Sequence, residues 1–150
     1  MSGPCWDVYV WVGERPDIAS AFLNEHVDAA DPGDHRYPSF RRLLIDGQPE
    51  VEDAELVAEL RIGGTESGPV SIYLKGREYP FVIVTHTAEG AFSLGLSLDE
   101  FPPGSERQAL VLLASMSARF AAPGRAGVEL APATSWDEWL DDALVVHRSG

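Results

Sequence analysis

The sequence is poor in cysteine and has no long apolar run. Its 150 residues include a single cysteine, Cys5, so no internal disulfide can form and an intracellular setting is favoured. No stretch approaches the roughly 20 apolar residues that a membrane-spanning helix requires. The start of the chain, MSGPCWDVYVWVG, lacks the basic region of a signal peptide and has the pattern of a strand. We therefore expect a cytoplasmic protein that does not enter a membrane.

Basic residues are also few compared with acidic ones. Ten arginines and one lysine stand against 24 acidic residues, which gives a formal net charge of −13. Nucleic acids and anionic membranes are bound through basic surfaces, so this balance argues against both as partners. The preference for Arg over Lys, together with abundant Ala, Gly and Pro, is typical of a GC-rich bacterial genome. The acidic surplus fits either a solvated surface or a basic protein partner.

The sequence also lacks the motifs of familiar enzymes. It contains no glycine-rich phosphate loop, no GxSxG nucleophile elbow, no HExxH motif and no CxxC pair. The acidic loop 28–35 lacks the ligand spacing of an EF-hand, and we interpret it as a solvated turn region. We therefore predict no catalytic residues, no metal site and no cofactor. The length predicts a single domain over residues 1–150.

Residues 70–98 predict three successive strands, at 70–75, 81–87 and 91–98. If Glu89-Gly90 forms a two-residue hairpin turn, Thr85 lies opposite Leu94, and the bulky residues of both strands share one face. Alternation over residues 6–12 predicts a further strand, central in the sheet or beside this meander.

Helical periodicity and capping residues predict helices over 14–27, 105–121 and 135–144, with capping boxes at Ser105 and Ser135. Residues 39–46 are expected to form a strand, and 127–131 a short edge strand. Residues 52–62 fit a helix or a strand, and their Ala, Glu and Leu content favours a helix. The predicted fold is therefore α+β: an antiparallel-dominated sheet, built from the meander 70–98 and the strand 6–12, covered by three or four helices.

Two acidic clusters are candidates for a protein-binding surface. One lies in residues 46–59, which contain no basic residue, and the other lies on the outer face of the C-terminal helix. Either cluster could also be an ordinary solvated face. The candidate residues are Asp46, Glu50, Glu52, Asp53, Glu55, Glu59, Asp137, Glu138, Asp141 and Asp142.

A different hypothesis places a ligand site on the less apolar face of the meander. Tyr73, His86 and Ser93 would supply a phenol, a base and a hydroxyl there, and the small residues Gly95 and Ser97 would leave room for a ligand. A helix packed against the small residues would explain the same pattern without any ligand.

The sequence supports three hypotheses about function. The first is a non-enzymatic module that binds a basic protein, most concretely an immunity-type inhibitor that caps a basic toxin or nuclease, with Trp11 or Trp136 as an anchor. The second is a small-ligand-binding protein or enzyme that uses the Tyr73, His86 and Ser93 face. The third is an accessory domain that dimerises through a sheet edge. We favour the first, because the acidic charge is strong and no catalytic motif accompanies it.

Overall fold

The structure, a computed structural model, describes residues 5–48, 50–60, 68–99 and 104–150. Within these ranges the chain forms one six-stranded antiparallel sheet and five α-helices, which confirms the α+β prediction. The strands are β1 (Cys5–Gly13), β2 (Val70–Lys75), β3 (Phe81–His86), β4 (Phe92–Asp99), β5 (Gly124–Val128) and β6 (His147–Ser149). The helices are α1 (Pro16–His26), α2 (Tyr37–Phe40), α3 (Ala54–Leu60), α4 (Ser105–Phe120) and α5 (Trp136–Leu140).

The N-terminal strand is central, as predicted. The strand order is β2-β3-β4-β1-β5-β6, so β1 lies between the meander and the C-terminal strands. Trp6 faces Leu98 of β4 on one side and Val128 of β5 on the other. Val8 and Val10 are fully buried, because their face of β1 lies under the helices.

The turn between β3 and β4 differs from the prediction. Thr87 donates its N–H to the carbonyl of Ala91 at 2.9 Å, and Gly90 donates to the carbonyl of Thr87 at 3.0 Å. These bonds enclose a three-residue loop, 88–90, in place of the two-residue turn. Gly90 has a φ of +92°, the left-handed conformation that closes such a loop and that glycine adopts without strain.

The extra loop residue shifts the register of β3 against β4 by one position. Val84 pairs with Leu94 and Val82 pairs with Leu96, so the predicted pairing of Thr85 with Leu94 is wrong. These two valines and two leucines share the buried face beneath the helices. Ile83 points to the opposite face, where it is buried in a second cluster. Both faces therefore carry large apolar side chains, which the predicted register did not allow.

Four helices cover one face of the sheet, which we call the helix face. Its core combines side chains from β1 to β5 with buried residues of these helices, namely Ala19, Phe22, Leu23, Phe40, Leu56, Ala109, Leu113, Met116 and Phe120. Helix α4 packs on this face along one side, and Leu110 and Val111 are exposed on its outer side. In the described part of the chain, no helix combines the length and apolar character needed to cross a membrane.

Residues 39–46 are helical, and the prediction of a strand there is wrong. Helix α2 continues into a wider π-helical turn, Arg41–Ile45, which ends with a bond from Asp46 N–H to Arg41 C=O at 2.9 Å. Arg41 also donates to Ser20 and Asn24 of α1. These tertiary contacts outweigh the β-like alternation of the local sequence.

The helix favoured for residues 52–62 is confirmed in its described part. A 3₁₀ turn, Val51–Asp53, leads into α3, which ends at Leu60. Residues 61 and 62 lie outside the described ranges.

The remaining differences concern the ends of elements. Helix α4 has Gly104 at its N-cap in place of Ser105. Strand β5 begins three residues earlier than the expected edge strand and is interior, because the unpredicted strand β6 pairs with it and forms the edge. Helix α5 ends at Leu140, four residues before the predicted end.

Candidate functional site

The sheet face opposite the helices, which we call the open face, carries most of the polar and aromatic side chains of the sheet. One row of this face crosses all six strands and consists of Tyr73, Ile83, Gly95, Tyr9, Arg125 and Arg148. The segment 129–146, which includes α5, packs on part of it. There Leu130 and Trp139 form a small buried cluster with Tyr9 and Ile83.

Tyr9 lies across Gly95 at the centre of this face. A Cβ atom at position 95 would lie 2.5 Å from the Tyr9 ring, so the ring can occupy this place only because residue 95 is glycine. The Tyr9 hydroxyl donates to the carbonyl of Leu130 at 2.6 Å and so holds the segment 129–146 against the sheet. Burial raises the pKa of Tyr9 well above its usual value, so the phenol stays a hydrogen-bond donor.

Arg125 fixes the same segment from β5. Its side chain is buried and donates to the carbonyls of Ala131 at 3.1 Å and Glu138 at 3.0 Å. The guanidinium also lies 5.0 Å from the centre of the Trp139 ring. Arg125 therefore acts as a structural cation and is not available to a ligand or partner.

Helix α5 is short and buries a single tryptophan. Ser135 caps it, accepting a hydrogen bond from Glu138 N–H at 3.1 Å, as the capping box predicts. The spacing of Trp136, Trp139, Leu140, Ala143 and Leu144 predicts one apolar stripe along the helix, and this prediction is only partly correct. Trp139 is 1% exposed, whereas the stripe residues Trp136 and Leu140 face solvent.

Large apolar side chains are exposed along residues 136–146. Trp136 is 44%, Leu140 54%, Leu144 66% and Val146 53% exposed, and we call these four residues the C-terminal patch. The Trp136 ring contacts Trp11 edge-on, with ring centres 5.2 Å apart. Four exposed large apolar side chains within residues 136–146 are more than the singly scattered ones that a protein surface ordinarily carries.

The predicted C-terminal acids lie between the members of this patch. Asp137, Glu138, Asp141 and Asp142 are all exposed. Glu138 accepts a hydrogen bond from the Thr134 hydroxyl, and Asp142 pairs with Arg148 at 2.5 Å. The segment thus presents carboxylates and apolar groups alternately, with one carboxylate neutralised.

The acidic cluster predicted in residues 46–59 is only partly exposed. Asp46, Glu50, Glu52 and Glu55 are exposed, and a hydrogen bond with Glu52 raises the pKa of Glu50. The side chain of Glu59 lies outside what the structure describes.

Asp53 does not belong to the surface of that cluster. It is fully buried, pairs with Arg42 at 2.6 Å and accepts a bond from Glu50 N–H at 2.8 Å. These contacts hold the pKa of Asp53 well below its usual range. It caps the helix start and fixes Arg42, so Asp53 is not part of the exposed acidic surface on which the prediction placed it.

The cations of the described chain are largely engaged within the fold. Arg41 donates to side chains of α1, and Arg15 and Arg77 donate to the backbone carbonyls of Val12 and Val27. The ion pairs with acidic residues are Arg36–Asp34, Arg42–Asp53, Lys75–Asp31, Arg119–Glu25 and Arg148–Asp142. A partner therefore meets a surface on which negative charge dominates.

The three predicted ligand-face residues do not converge. His86 is opposite Phe92 and points to the helix face, with ring centres 5.0 Å apart. Ser93 is opposite Thr85 and points to the open face, as does Tyr73. The one-residue shift in register separates His86 from Ser93. Burial lowers the pKa of His86, so its ring is neutral at pH 7.

Tyr73 does line a cleft, which sequence reasoning missed. The cleft has a volume of about 380 Å³ and crosses the open face from β2 to β1. Its lining residues are Cys5, Asp7, Tyr73, Phe81, Ser97, Glu129, Leu130 and Ala131. The sequence contained one sign of it, a charged residue between Trp6 and Val8 in a strand that is otherwise apolar and aromatic.

Asp7 lies deep in this cleft. It is 7% exposed and accepts a hydrogen bond from the Ser97 hydroxyl at 2.6 Å. Burial, together with the nearby charge of Glu129, raises the pKa of Asp7 to about 6. Glu129 has a φ of +52° and accepts a bond from Cys5 N–H at 2.9 Å. Two carboxyl groups thus share one cleft, and none of the described lining residues is a cation.

Among the described residues, no group of three or more His, Cys, Asp or Glu side chains is placed to hold a metal ion. No protein-family model, curated protein or solved structure matches this chain. Function has therefore to be inferred from the chain's own residues.

Proposed function

We propose that this protein is a non-enzymatic module that binds a basic protein partner through the C-terminal patch and the carboxylates beside it. The observation that carries the proposal is the exposure of Trp136, Leu140, Leu144 and Val146, each at least 44% exposed, in one short segment that also holds four exposed acids. Its most concrete form is an immunity-type inhibitor, acting in the cytoplasm, that caps a basic toxin or nuclease.

The patch has the composition of an interface centre and rim. Tryptophan is enriched among the residues that dominate binding energy, and apolar neighbours exclude water around it. Trp136 can serve as the anchor, because its contact with Trp11 limits the motion that binding would have to freeze. Leu140 lies one helical turn away, on the same side of α5.

Charge favours a basic occupant over a second copy of this chain. At a net charge of −13, two copies repel each other, whereas a basic protein is attracted from a distance. Asp137 and Asp141 would meet Lys or Arg side chains at the rim. If the partner is a nuclease, those same side chains would be the ones that bind its substrate, and inhibition would follow by occlusion.

The test is capture of the partner by the full-length tagged chain in the organism that encodes it, followed by reconstitution from the two purified proteins. We expect a 1:1 complex with a basic protein whose affinity falls as salt rises. Trp136→Ala and Leu140→Ala should each weaken it about tenfold or more. If the partner is a nuclease, one equivalent of this chain should stop its activity.

The matched controls are Leu110→Ala and Val111→Ala, which remove comparably exposed apolar groups from α4. They should leave affinity unchanged. A purified complex that tolerates both patch variants would overturn the proposal, as would light scattering that shows this chain self-associating through the patch in place of binding a basic protein.

A further inference from the structure

The open-face cleft has an acidic interior and an aromatic mouth. Asp7 lies inside it, Glu129 is exposed beside it, and the rings of Tyr73 and Phe81 are 48% and 41% exposed. The remaining lining is small or apolar apart from the Ser97 hydroxyl, which Asp7 already engages.

A carboxylate buried without a cation is costly, because it has lost the water that stabilised its charge. Two hydrogen bonds to Asp7, from Ser97 and from the backbone of Leu130, offset part of that loss. The second carboxyl, Glu129, adds repulsion. A positive group in the cleft would relieve both effects, and it would do so more strongly than at the exposed acids elsewhere on the surface.

We propose that this cleft binds an organic cation, a primary ammonium or guanidinium group, between the carboxylates of Asp7 and Glu129 and the rings of Tyr73 and Phe81. Aromatic faces attract such cations, and the attraction grows where water is excluded. The cleft, at about 380 Å³, can hold a short alkyl chain behind the charged group. The group can come from a free amine or from a Lys or Arg side chain of a protein, and the proposal does not depend on the C-terminal patch.

The first experiment titrates the full chain with butylammonium and with butylguanidinium, followed by NMR of the backbone amides and of the Asp7 side-chain carboxyl carbon. We expect saturable shifts at Asp7, Tyr73 and Glu129. Butanol and butyrate, which have the same chain without positive charge, should cause none of them. Acetyl-lysine amide and acetyl-arginine amide form a second arm, which shows whether the cleft also accepts these groups when they are attached to a peptide backbone.

Variants locate the site. Asp7→Asn should weaken binding about tenfold or more, and Glu129→Gln and Tyr73→Leu severalfold each. The matched control, Asp17→Asn, removes an exposed acid of α1 and should have no effect. Glu129→Gln and Tyr73→Leu alter exposed side chains, so they keep the test decisive even if Asp7→Asn fails to fold.

The pH dependence of cation binding is an independent test of the proposal. The titratable groups around Asp7 are Glu129, Tyr73 and Tyr9, with Cys5 also in the lining, and none of them is positive. Binding should weaken as the pH falls through about 6, where Asp7 gains its proton, and saturation with the cation should lower the pKa of Asp7. Equal shifts with butanol, or unsaturable shifts spread over the acidic surface, would overturn the proposal.

Discussion

The two faces of the sheet are built from the same strands but differ in what covers them. On the helix face, residues such as Leu94 and Leu96 are fully buried under four helices. On the open face, the segment 129–146 covers the centre and leaves Tyr73 and Phe81 about half exposed. The difference indicates that stability resides mainly on the helix face, which leaves the open face free to carry charged groups that would be unfavourable in a core.

The largest expected effect of a substitution is on the helix face. Leu94→Ala removes a fully buried side chain and should lower the free energy of unfolding by about 2–5 kcal/mol. Tyr73→Ala on the open face should cost less than about 1 kcal/mol. Urea denaturation of both variants measures the contrast, and similar losses would show that the two faces contribute equally.

The pH dependence of the free energy of unfolding should reveal the raised pKa of Asp7. Its pKa is higher in the folded protein, about 6, than the usual value near 3.8, so the folded state keeps the proton that the unfolded state has already released. Stability should therefore fall as the pH rises from about 4 to about 6, by at most about 3 kcal/mol at roughly 1.4 kcal/mol per pKa unit.

Asp7→Asn removes this contribution. The free energy of unfolding of the variant, relative to that of the wild type, should be higher at pH 8 than at pH 4. Urea denaturation at both pH values measures it. An unchanged difference between the two proteins would mean that Asp7 has the same pKa in the folded and the unfolded state.

Gly95→Ala should disturb the open face and leave the helix face unchanged. The added Cβ would lie 2.5 Å from the Tyr9 ring, which must move and give up its bond to the Leu130 carbonyl. We expect a loss of about 1–3 kcal/mol, together with altered NMR shifts in residues 129–131. Ser93→Ala, a neighbouring buried position on the same strand and face, is the control and should leave those shifts unchanged.

The smallest effect is expected at the C-terminal patch. Leu144 is 66% exposed, so Leu144→Ser should change the free energy of unfolding by no more than about 0.5 kcal/mol while lowering affinity for the basic partner. Thermal unfolding and calorimetric binding of the same sample separate the two effects. A large loss of stability would place Leu144 in the core and remove it from the patch.

The sequence predicts the strands with the strongest alternation and the helices with the clearest periodicity. β1 to β4, α1 and α4 all lie where the pattern indicates. The register between β3 and β4 depends on a choice between two-residue and three-residue loops around Gly90, and the local sequence permits both. The prediction of a strand over residues 39–46 also fails. Arg41 and Arg42 bind partners outside this segment, and such contacts leave no pattern in the local sequence.

The candidate site is less predictable than the fold. The acids at 137–142 are exposed, but α5 stops at Leu140, so Asp141 and Asp142 follow the helix. The same early end exposes Leu144, which a longer helix would have placed on its apolar stripe. The cleft is formed by residues of β1 to β4 and by residues 129–131, and their proximity can be recognised only when the strand order is known. A single aspartate in an apolar strand was its only trace in the sequence.

The central position of β1 has a consequence for synthesis of the protein. This strand is translated before the other five strands, but its two neighbours are β4, which begins at Phe92, and β5, which ends at Val128. Pairs so distant along the chain form slowly, and until they form the apolar residues of β1 have no sheet to join. We therefore expect the nascent chain to be a client of ribosome-associated chaperones until β4 and β5 have been translated.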